Sequence, residues 1–297
     1  MMLDLRRLRL LRELHARGTI ASVADALSYS PSTVSHQLAE LQREAGVLLF
    51  ERDGRRLRLT EAARVLVRHA DALLTRMERA EAEMAAAAGV VAGTVRITAF
   101  QTASISLVAP ALAGLADRHP GLRLEVTEAE PDQAFDALLR RECDVAVCDE
   151  YGSQRRPRPR GLTFEELYTE PVRLVLPRGH PATHLRELVG AAWAGGHPGT
   201  SHERLLAHAC STVGGFAPDI RHRATDLLVL LALVGTGRAV TLLPDLSRPD
   251  RDPSVTVRDT GIARRVLTVV RDDGLARPAL AAVRTALREA ALDLVPG

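Results

Sequence analysis

Between Thr19 and Glu44 the chain reads TIASVADALSYSPSTVSHQLAELQRE. This pattern predicts two short helices joined by a tight turn. Thr19 caps the first through its hydroxyl, and Ile20, Val23, Ala24 and Leu27 recur at helical spacing along one apolar face. Ser28-Tyr29-Ser30 breaks the pattern. Ser30 is a good N-cap and Pro31 fits the first helical position, where its missing N–H costs nothing, so a second helix starts there. Val34, Leu38 and Leu41 sit at i, i+4 and i+7 and face inward. The outward face then carries Ser32, Thr33, His36, Gln37 and Arg43, short or amide-bearing donors and acceptors with few charges. Such a face suits reading base edges in a major groove, since a uniformly charged one binds phosphate without discriminating sequence. Ser35, next to the inward Val34, is expected to cap or to contact phosphate instead. A plain helical hairpin with a solvated polar face is the competing reading, and the next stretch decides between them.

Downstream, Gly46 to Thr60 reads GVLLFERDGRRLRLT, two short apolar runs around an Asp-Gly turn signal and studded with arginine. Asp-Gly between such runs marks a hairpin. Arg55 and Arg56 project from its tip, with Arg52 on the incoming strand, and all three are expected on phosphates or in a minor groove. Residues 3–60 thus resemble the winged helix-turn-helix of LysR-type transcriptional regulators. The matching positions are Ala24 to Leu27, Ser30 to Ser35, Leu38, Leu41, Gly46, Leu49 to Arg52, Arg55 to Leu59, and Thr60-Glu61-Ala62. Gln42 stands where that family usually has Glu, and Ala63 where it often has Gly. Neither lies on the proposed reading face.

With 297 residues, 46% of them hydrophobic, the chain can bury more than one core. Lysine and asparagine are both absent, so all 39 basic residues are arginine. The net charge of +2 excludes a global polyanion-binding argument, but residues 1–70 hold 12 arginines against 8 acidic residues, which puts any nucleic-acid footprint at the N-terminus. Leu3 to Leu14 is interrupted by Arg6, Arg7, Arg9, Arg12 and Glu13, so no signal peptide is read there, and no apolar run approaches the ~20 residues of a membrane span. A cytoplasmic location is expected. The three cysteines, Cys143, Cys148 and Cys210, fit a reducing compartment.

Leu5, Leu8, Leu11 and Leu14 form the stripe of a first helix ended by Gly18. From Thr60, an N-cap, to Ala88 there is neither Pro nor Gly, and Leu66, Ala70, Leu73, Met77, Ala80 and Met84 recur as a coiled-coil seam. A long helix with such a seam needs a partner, and a second copy is the simplest one. The resemblance implies the same, since the family's linker helix pairs two subunits. A homodimer or homotetramer is expected.

After Gly89 to Gly93 the pattern turns to alternating strands and helices: strands over 95–100, 122–128, 144–148, 172–177, 239–243 and 266–270, helices over 105–119, 132–141, 201–213, 226–234 and 276–288. This order argues for a βαβ parallel sheet. The segment looks like the two-lobed, periplasmic-binding-protein-like effector domain of the same family, with Gly235-Thr236-Gly237 to Leu242-Leu243-Pro244 as its sharpest motif. The expected fold class is α/β, divided into a winged helix-turn-helix (1–60), a linker helix (61–92) and an effector-binding domain (93–297). Lobe one is 94–165 plus 266–297 and lobe two 166–265, so the chain crosses twice between lobes.

Ligands of open parallel sheets bind beyond the carboxyl ends of strands, near helix starts. That rule selects Gln101, Thr102 and Ser104 after the first strand, Asp149 after the 144–148 strand, and Thr200, Ser201 and His202 at a helix start in the second lobe. Backbone N–H groups at two helix starts favour an anionic or carbonyl-bearing effector. For each residue alone, an ordinary N-cap explains it equally well.

No metal set, cofactor motif or catalytic constellation emerges. Pro181 and Gly199 interrupt any helix that would align His180 with His184 or His197 with His202. Ser201-His202-Glu203 is no triad, because sequence neighbours on a helix do not face one another. Cys143 and Cys148 flank one extended strand about 16 Å apart, beyond disulfide reach. The expected function is sequence-specific transcriptional regulation controlled by a small-molecule effector. The rival is a small-molecule-binding or enzymatic α/β protein whose N-terminal helices serve only for assembly.

Overall fold

The computed structural model describes residues 3–53, 56–87, 91–152 and 154–294. The chain divides into two compact units, Met1–Ala87 and Ala88–Gly297.

In the first unit, α1 (Leu5–Arg17) is capped by Asp4, whose Oδ1 accepts from the Arg6 and Arg7 amides at 2.7 and 3.2 Å. It ends at Gly18, whose φ of 78° is the left-handed conformation that glycine adopts without a Cβ penalty. Thr19 accepts from the Ser22 amide and opens α2 (Ile20–Leu27). Ser30 accepts from the Thr33 amide and, with Pro31 in the first turn, opens α3 (Pro31–Ala45). Leu8, Leu11, Leu14, Val23, Ala24, Val34, Leu38 and Leu41 are buried in one core. Leu5 is exposed, and Leu10 supplies the buried side chain in that region.

The hairpin strands β1 (Phe50–Asp53) and β2 (Arg56–Leu59) pair antiparallel, Phe50 opposite Leu59 and Asp53 opposite Arg56. Gln42, one of the two departures from the family pattern, fixes the entry to this wing: its Oε1 accepts from the Leu49 and Phe50 amides at 2.9 and 3.1 Å. Thr60 then caps α4 (Glu61–Ala87), accepting from the Ala63 amide at 3.1 Å and donating to the Leu48 carbonyl at 2.8 Å. Ala63, Val67 and Ala70 of α4 are buried in the unit's core, whereas Leu73, Met77 and Met84 are exposed.

The second unit contains a six-stranded mixed sheet. Strand β3 (Gly93–Ala99) lies between β4 (Leu122–Glu128) and β5 (Val145–Tyr151) and is parallel to both. Helix α5 (Ala109–Arg118), entered through a π-turn over Ser104–Val108, and helix α6 (Pro131–Leu139) connect them. The parallel expectation stops there. Two long strands, β6 (Leu162–Pro177) and β10 (Val255–Arg271), pair antiparallel with each other over most of their length, and β10 also pairs antiparallel with β5. The sequence pattern exposed only a fragment of each. The glutamates of Leu162–Glu170 disguise a strand whose charges are matched by tertiary partners: Glu165 pairs with Arg284 and Arg288, and Glu170 with Arg264.

These two strands run from one lobe into the other. One lobe packs β3, β5 and the ends of the long strands against α5 and α9 (Pro278–Leu292). The other packs the remaining halves, with β9 (Thr241–Pro244), against α7 (Ser201–Ala209) and α8 (Leu227–Gly235). It also contains a short parallel pair that the sequence pattern did not reveal, β7 (Ala192–Gly195) with β8 (Asp219–Arg223).

Candidate nucleic-acid face and interlobe pocket

On α3, burial of Val34, Leu38 and Leu41 leaves Ser32, Thr33, Ser35, His36 and Arg43 exposed and Gln37 half-buried. The Ser30 hydroxyl lies 2.8 Å from that of Ser32 and 2.7 Å from that of Thr33, so the helix start presents a linked row of hydroxyls. His36 Nε2 is 3.5 Å from Glu40 Oε1, and Arg43 is ion-paired with the same glutamate. Gln37 is held from behind: Arg7 on α1 donates its Nε to Gln37 Oε1 at 2.9 Å and also pairs with Glu44. Because arginine can only donate, Gln37 must turn its carbonyl to Arg7, which leaves its NH₂ as the outward group. Sequence pattern did not single out Arg7, since nothing local to α1 points to α3. In the wing, Arg52 stands opposite Leu57 and Arg56 opposite Asp53 in the strand register, while Arg55 lies outside the described residues.

In the second unit a cavity of about 370 Å³ opens between the lobes, walled by Gln101, Thr102, Asp149, Thr200, Ser201 and His202 of the expected set. Ser104 is not among the lining residues. It sits in the π-turn with its hydroxyl directed at the Ala99 carbonyl, 3.4 Å away, because the helix turns it back onto the strand it follows.

The expected ligand groups are already engaged with one another. Ser201 donates its hydroxyl to Asp149 Oδ1 at 2.8 Å, and its amide donates across the lobes to Glu130 Oε2 at 3.3 Å. Gln101 Oε1 accepts from the Leu227 amide at the start of α8, at 3.2 Å. The helix-start amides of Ser201 and Leu227 therefore serve internal acceptors, whereas the helix start at Gln101 has no side-chain cap. Thr200 donates to the His197 carbonyl at 2.7 Å and caps α7. His202 is buried and neutral: Nδ1 accepts from the Gly196 amide at 3.0 Å, Nε2 donates to the Leu242 carbonyl at 2.7 Å, and burial lowers its pKa. Both its nitrogens and the Ser201 hydroxyl thus have structural partners.

Other lining groups were missed, Arg264, Tyr151 and Glu130 among them. Arg264, 2% exposed on β10, donates from Nη2 to Thr102 Oγ1 at 2.9 Å and from Nε to Glu170 Oε1 at 2.8 Å, with its guanidinium 4.9 Å from the Phe100 ring centre. Tyr151 ends β5 in the same wall. Glu130 precedes α6, and burial, reinforced by Asp149, raises its pKa. Arg264 was legible only as an arginine amid apolar residues at the edge of an expected strand. Among the described residues there is no group of three or more His, Cys, Asp or Glu side chains that could hold a metal ion, and no helix is long and apolar enough to cross a membrane. All three thiols are buried; Cys143, in the turn ahead of β5, and Cys148 approach the carbonyls of Ala134 and Pro131 on α6 at 3.8 and 3.5 Å.

Residues 88–292 match the LysR substrate binding domain, and residues 5–64 match the bacterial regulatory helix-turn-helix protein, lysR family. The chain is similar to the transcriptional dual regulator GltC of Bacillus subtilis, 26% identical over 262 residues that cover 86% of this chain and 85% of that protein. A probable hydrogen peroxide-inducible genes activator of Mycobacterium avium is 32% identical over 240 residues, 77% of this chain and 74% of that protein. Among solved structures, a full-length OxyR variant from Pseudomonas aeruginosa superposes with a TM-score of 0.70 at 20% identity, over 97% of this chain and 95% of that one.

Proposed function

Because this chain belongs to the LysR family, a family of transcriptional regulators rather than enzymes, and is a DNA-binding regulator with an effector-binding domain, we propose how its parts divide that work. Helix α3 enters the major groove with Ser32, Thr33, His36 and Gln37 towards base edges, Ser35 and Arg43 at its margins, and Arg52, Arg55 and Arg56 of the wing on the backbone. The division of the chain is 1–60 for DNA, 61–92 for assembly into a homodimer or homotetramer, and 93–297 for the effector. Lobe one comprises 94–165 and 266–297, and lobe two 166–265; these lobe boundaries fall within the two long crossing strands.

The effector occupies the interlobe pocket, where Gln101, Thr102, Asp149, Thr200 and Ser201 come together. An anionic effector would have to displace Glu130 and Gln101 to reach the Ser201 and Leu227 amides. The pocket binds without turnover, because the hydroxyl and imidazole that could serve as nucleophile and base are held by structural partners. The protein acts in the cytoplasm, where its DNA is. Thiol oxidation is not adopted as the signal: the reactive species is the thiolate, and burial pushes Cys143 up to about 11 and Cys148 and Cys210 up to about 12.

The observation that carries this reading is the exposed hydroxyl row at the start of α3, backed by a buried Val34–Leu38–Leu41 face. Its test is fluorescence anisotropy on DNA from upstream of the protein's own coding region, with a scrambled duplex as control, at several salt concentrations. Preference for the upstream DNA, with affinity falling linearly in log salt, is expected. Equal binding to both duplexes would refute base reading by α3.

A further inference from the structure

The charge of the interlobe pocket is opposite to what its helix starts suggest. Glu128, Glu130 and Asp149 line it, and Arg264 is the single cation among the lining residues. That guanidinium is committed to Glu170 behind the wall and to Thr102. Two arginines stand nearby. Arg156 reaches Asp149 at 3.5 Å and pairs with Asp132, and Arg204 reaches Asp132 at 2.9 Å and the Gly199 carbonyl at 2.7 Å. Neither forms an ion pair with Glu128 or Glu130, although Arg204 lies near enough to Glu130 to oppose the effect of its burial, and among the described residues neither of those carboxylates has an ion-pair partner.

Three of the donors are committed as well. The Ser201 amide serves Glu130, the Ser201 hydroxyl serves Asp149, and the Leu227 amide serves Gln101. An entering anion would meet three carboxylates and no uncommitted cation in the lining, with only the uncapped helix start at Gln101 to offset them. A protonated amine would find the carboxylate of Glu128, the carboxylate of Glu130 beside the Gln133 and Ser201 amides it accepts from, and Phe100, Tyr151 and Leu227 as an apolar wall. The volume, about 370 Å³, suits a small metabolite.

We propose that the effector is an organic cation, a primary amine or guanidine on a small apolar body, whose charged head sits between Glu130 and Glu128. This rests on the interlobe pocket being the effector site, and it names the class of ligand that site takes.

The test uses the full-length protein in thermal-shift and calorimetric titrations with benzylamine, phenethylamine and agmatine against benzoate and phenylacetate. Amines should raise Tm and carboxylates should not. Glu130→Gln keeps the side-chain size and an acceptor for the Ser201 amide, and should weaken amine binding about tenfold or more. Ala129→Trp, which fills the cavity, should abolish binding while circular dichroism stays native. Stabilisation by carboxylates alone, abolished by Ala129→Trp, would overturn the cation assignment and leave the pocket as the effector site. Amine binding indifferent to both substitutions would overturn the pocket reading and the proposal with it. A panel in which no amine shifts Tm also overturns the proposal.

Discussion

Arg264 and Glu170 stand directly opposite each other on the two strands that cross between the lobes, and form a buried ion pair, Nε to Oε1 2.8 Å, at 2% and 1% exposure. The second carboxylate oxygen accepts from the Leu246 amide at 2.6 Å, and the guanidinium reaches Thr102 in the pocket wall. Burial works against the charge on Arg264, but Glu170, with Tyr151 and Asp149, outweighs it and raises its pKa. One network therefore joins the pocket to both crossings.

Removing one partner of a buried pair leaves an uncompensated charge and costs ~3–5 kcal/mol, whereas replacing both by apolar residues costs far less. Glu170→Leu and Arg264→Met should each show that loss in urea unfolding of the full-length protein, and the double variant should recover most of it. A double variant whose loss equals the sum of the singles would show that the two residues act independently.

Gln37 supplies the second prediction. With its carbonyl on Arg7, it presents donors only, which suits acceptor edges such as guanine O6 and N7 and not the donor-plus-acceptor edge of adenine. Gln37→Ala should cost ~1–3 kcal/mol on the specific site and little on random DNA. Arg7→Ala, which frees the carbonyl, should relax the choice between guanine and adenine at the contacted base pair. Competition binding with duplexes varied at each position measures both; an unchanged base preference in Arg7→Ala would refute the orienting role.

The winged helix-turn-helix was legible because its signals are local: Ser30-Pro31 starts a helix wherever it stands in such a pattern, and Gly18 and Gly46 end helices at positive φ. The pocket was legible in part for the same reason, since Gln101, Thr102, Thr200 and Ser201 sit at helix starts. What escaped was non-local. Leu162–Glu170 becomes strand because its glutamates find arginines more than ninety residues away, such as Arg264 for Glu170. Glu130, adjacent to expected elements, gains its place in the site only by accepting from Ser201, 71 residues on. Ser104 failed in the opposite sense: its sequence neighbours suggested the pocket, but the π-turn points it at the Ala99 carbonyl.

The thiols give a pH prediction. Burial raises all three above their ordinary value, Cys143 to about 11 and Cys148 and Cys210 to about 12. Above pH ~9 the unfolded chain loses thiol protons that the folded chain keeps, so the folded state binds more protons and stability falls as pH rises from there towards the folded values. At pH 8 iodoacetamide should label none of the three in the native protein within the time that labels all of them in guanidinium, as read by mass spectrometry. Rapid native labelling of Cys143 or Cys148 would show that the region under α6 opens.

Helix α4 spends its first turns and its later ones on different partners. Ala63, Val67 and Ala70 are buried in its own unit, while Leu73, Met77 and Met84 are exposed at 50%, 43% and 73%. These three continue the seam of Leu66 and Ala70 at spacings of four and seven, which keeps them on one stripe. Exposed leucine and methionine at such spacing lose apolar surface to water unless a second helix covers them, and another α4 offers the complementary stripe. Leu73→Glu would then bury an unpaired carboxylate between helices, at a cost that exceeds what the remaining seam contributes. Sedimentation equilibrium should show the wild type as a dimer or larger and Leu73→Glu shifted towards monomer, with helical content unchanged because position 73 makes no contact with the unit's own core. Operator affinity should fall alongside, since two half-sites are then bound separately. An assembly that survives the substitution intact would place the subunit contact away from α4.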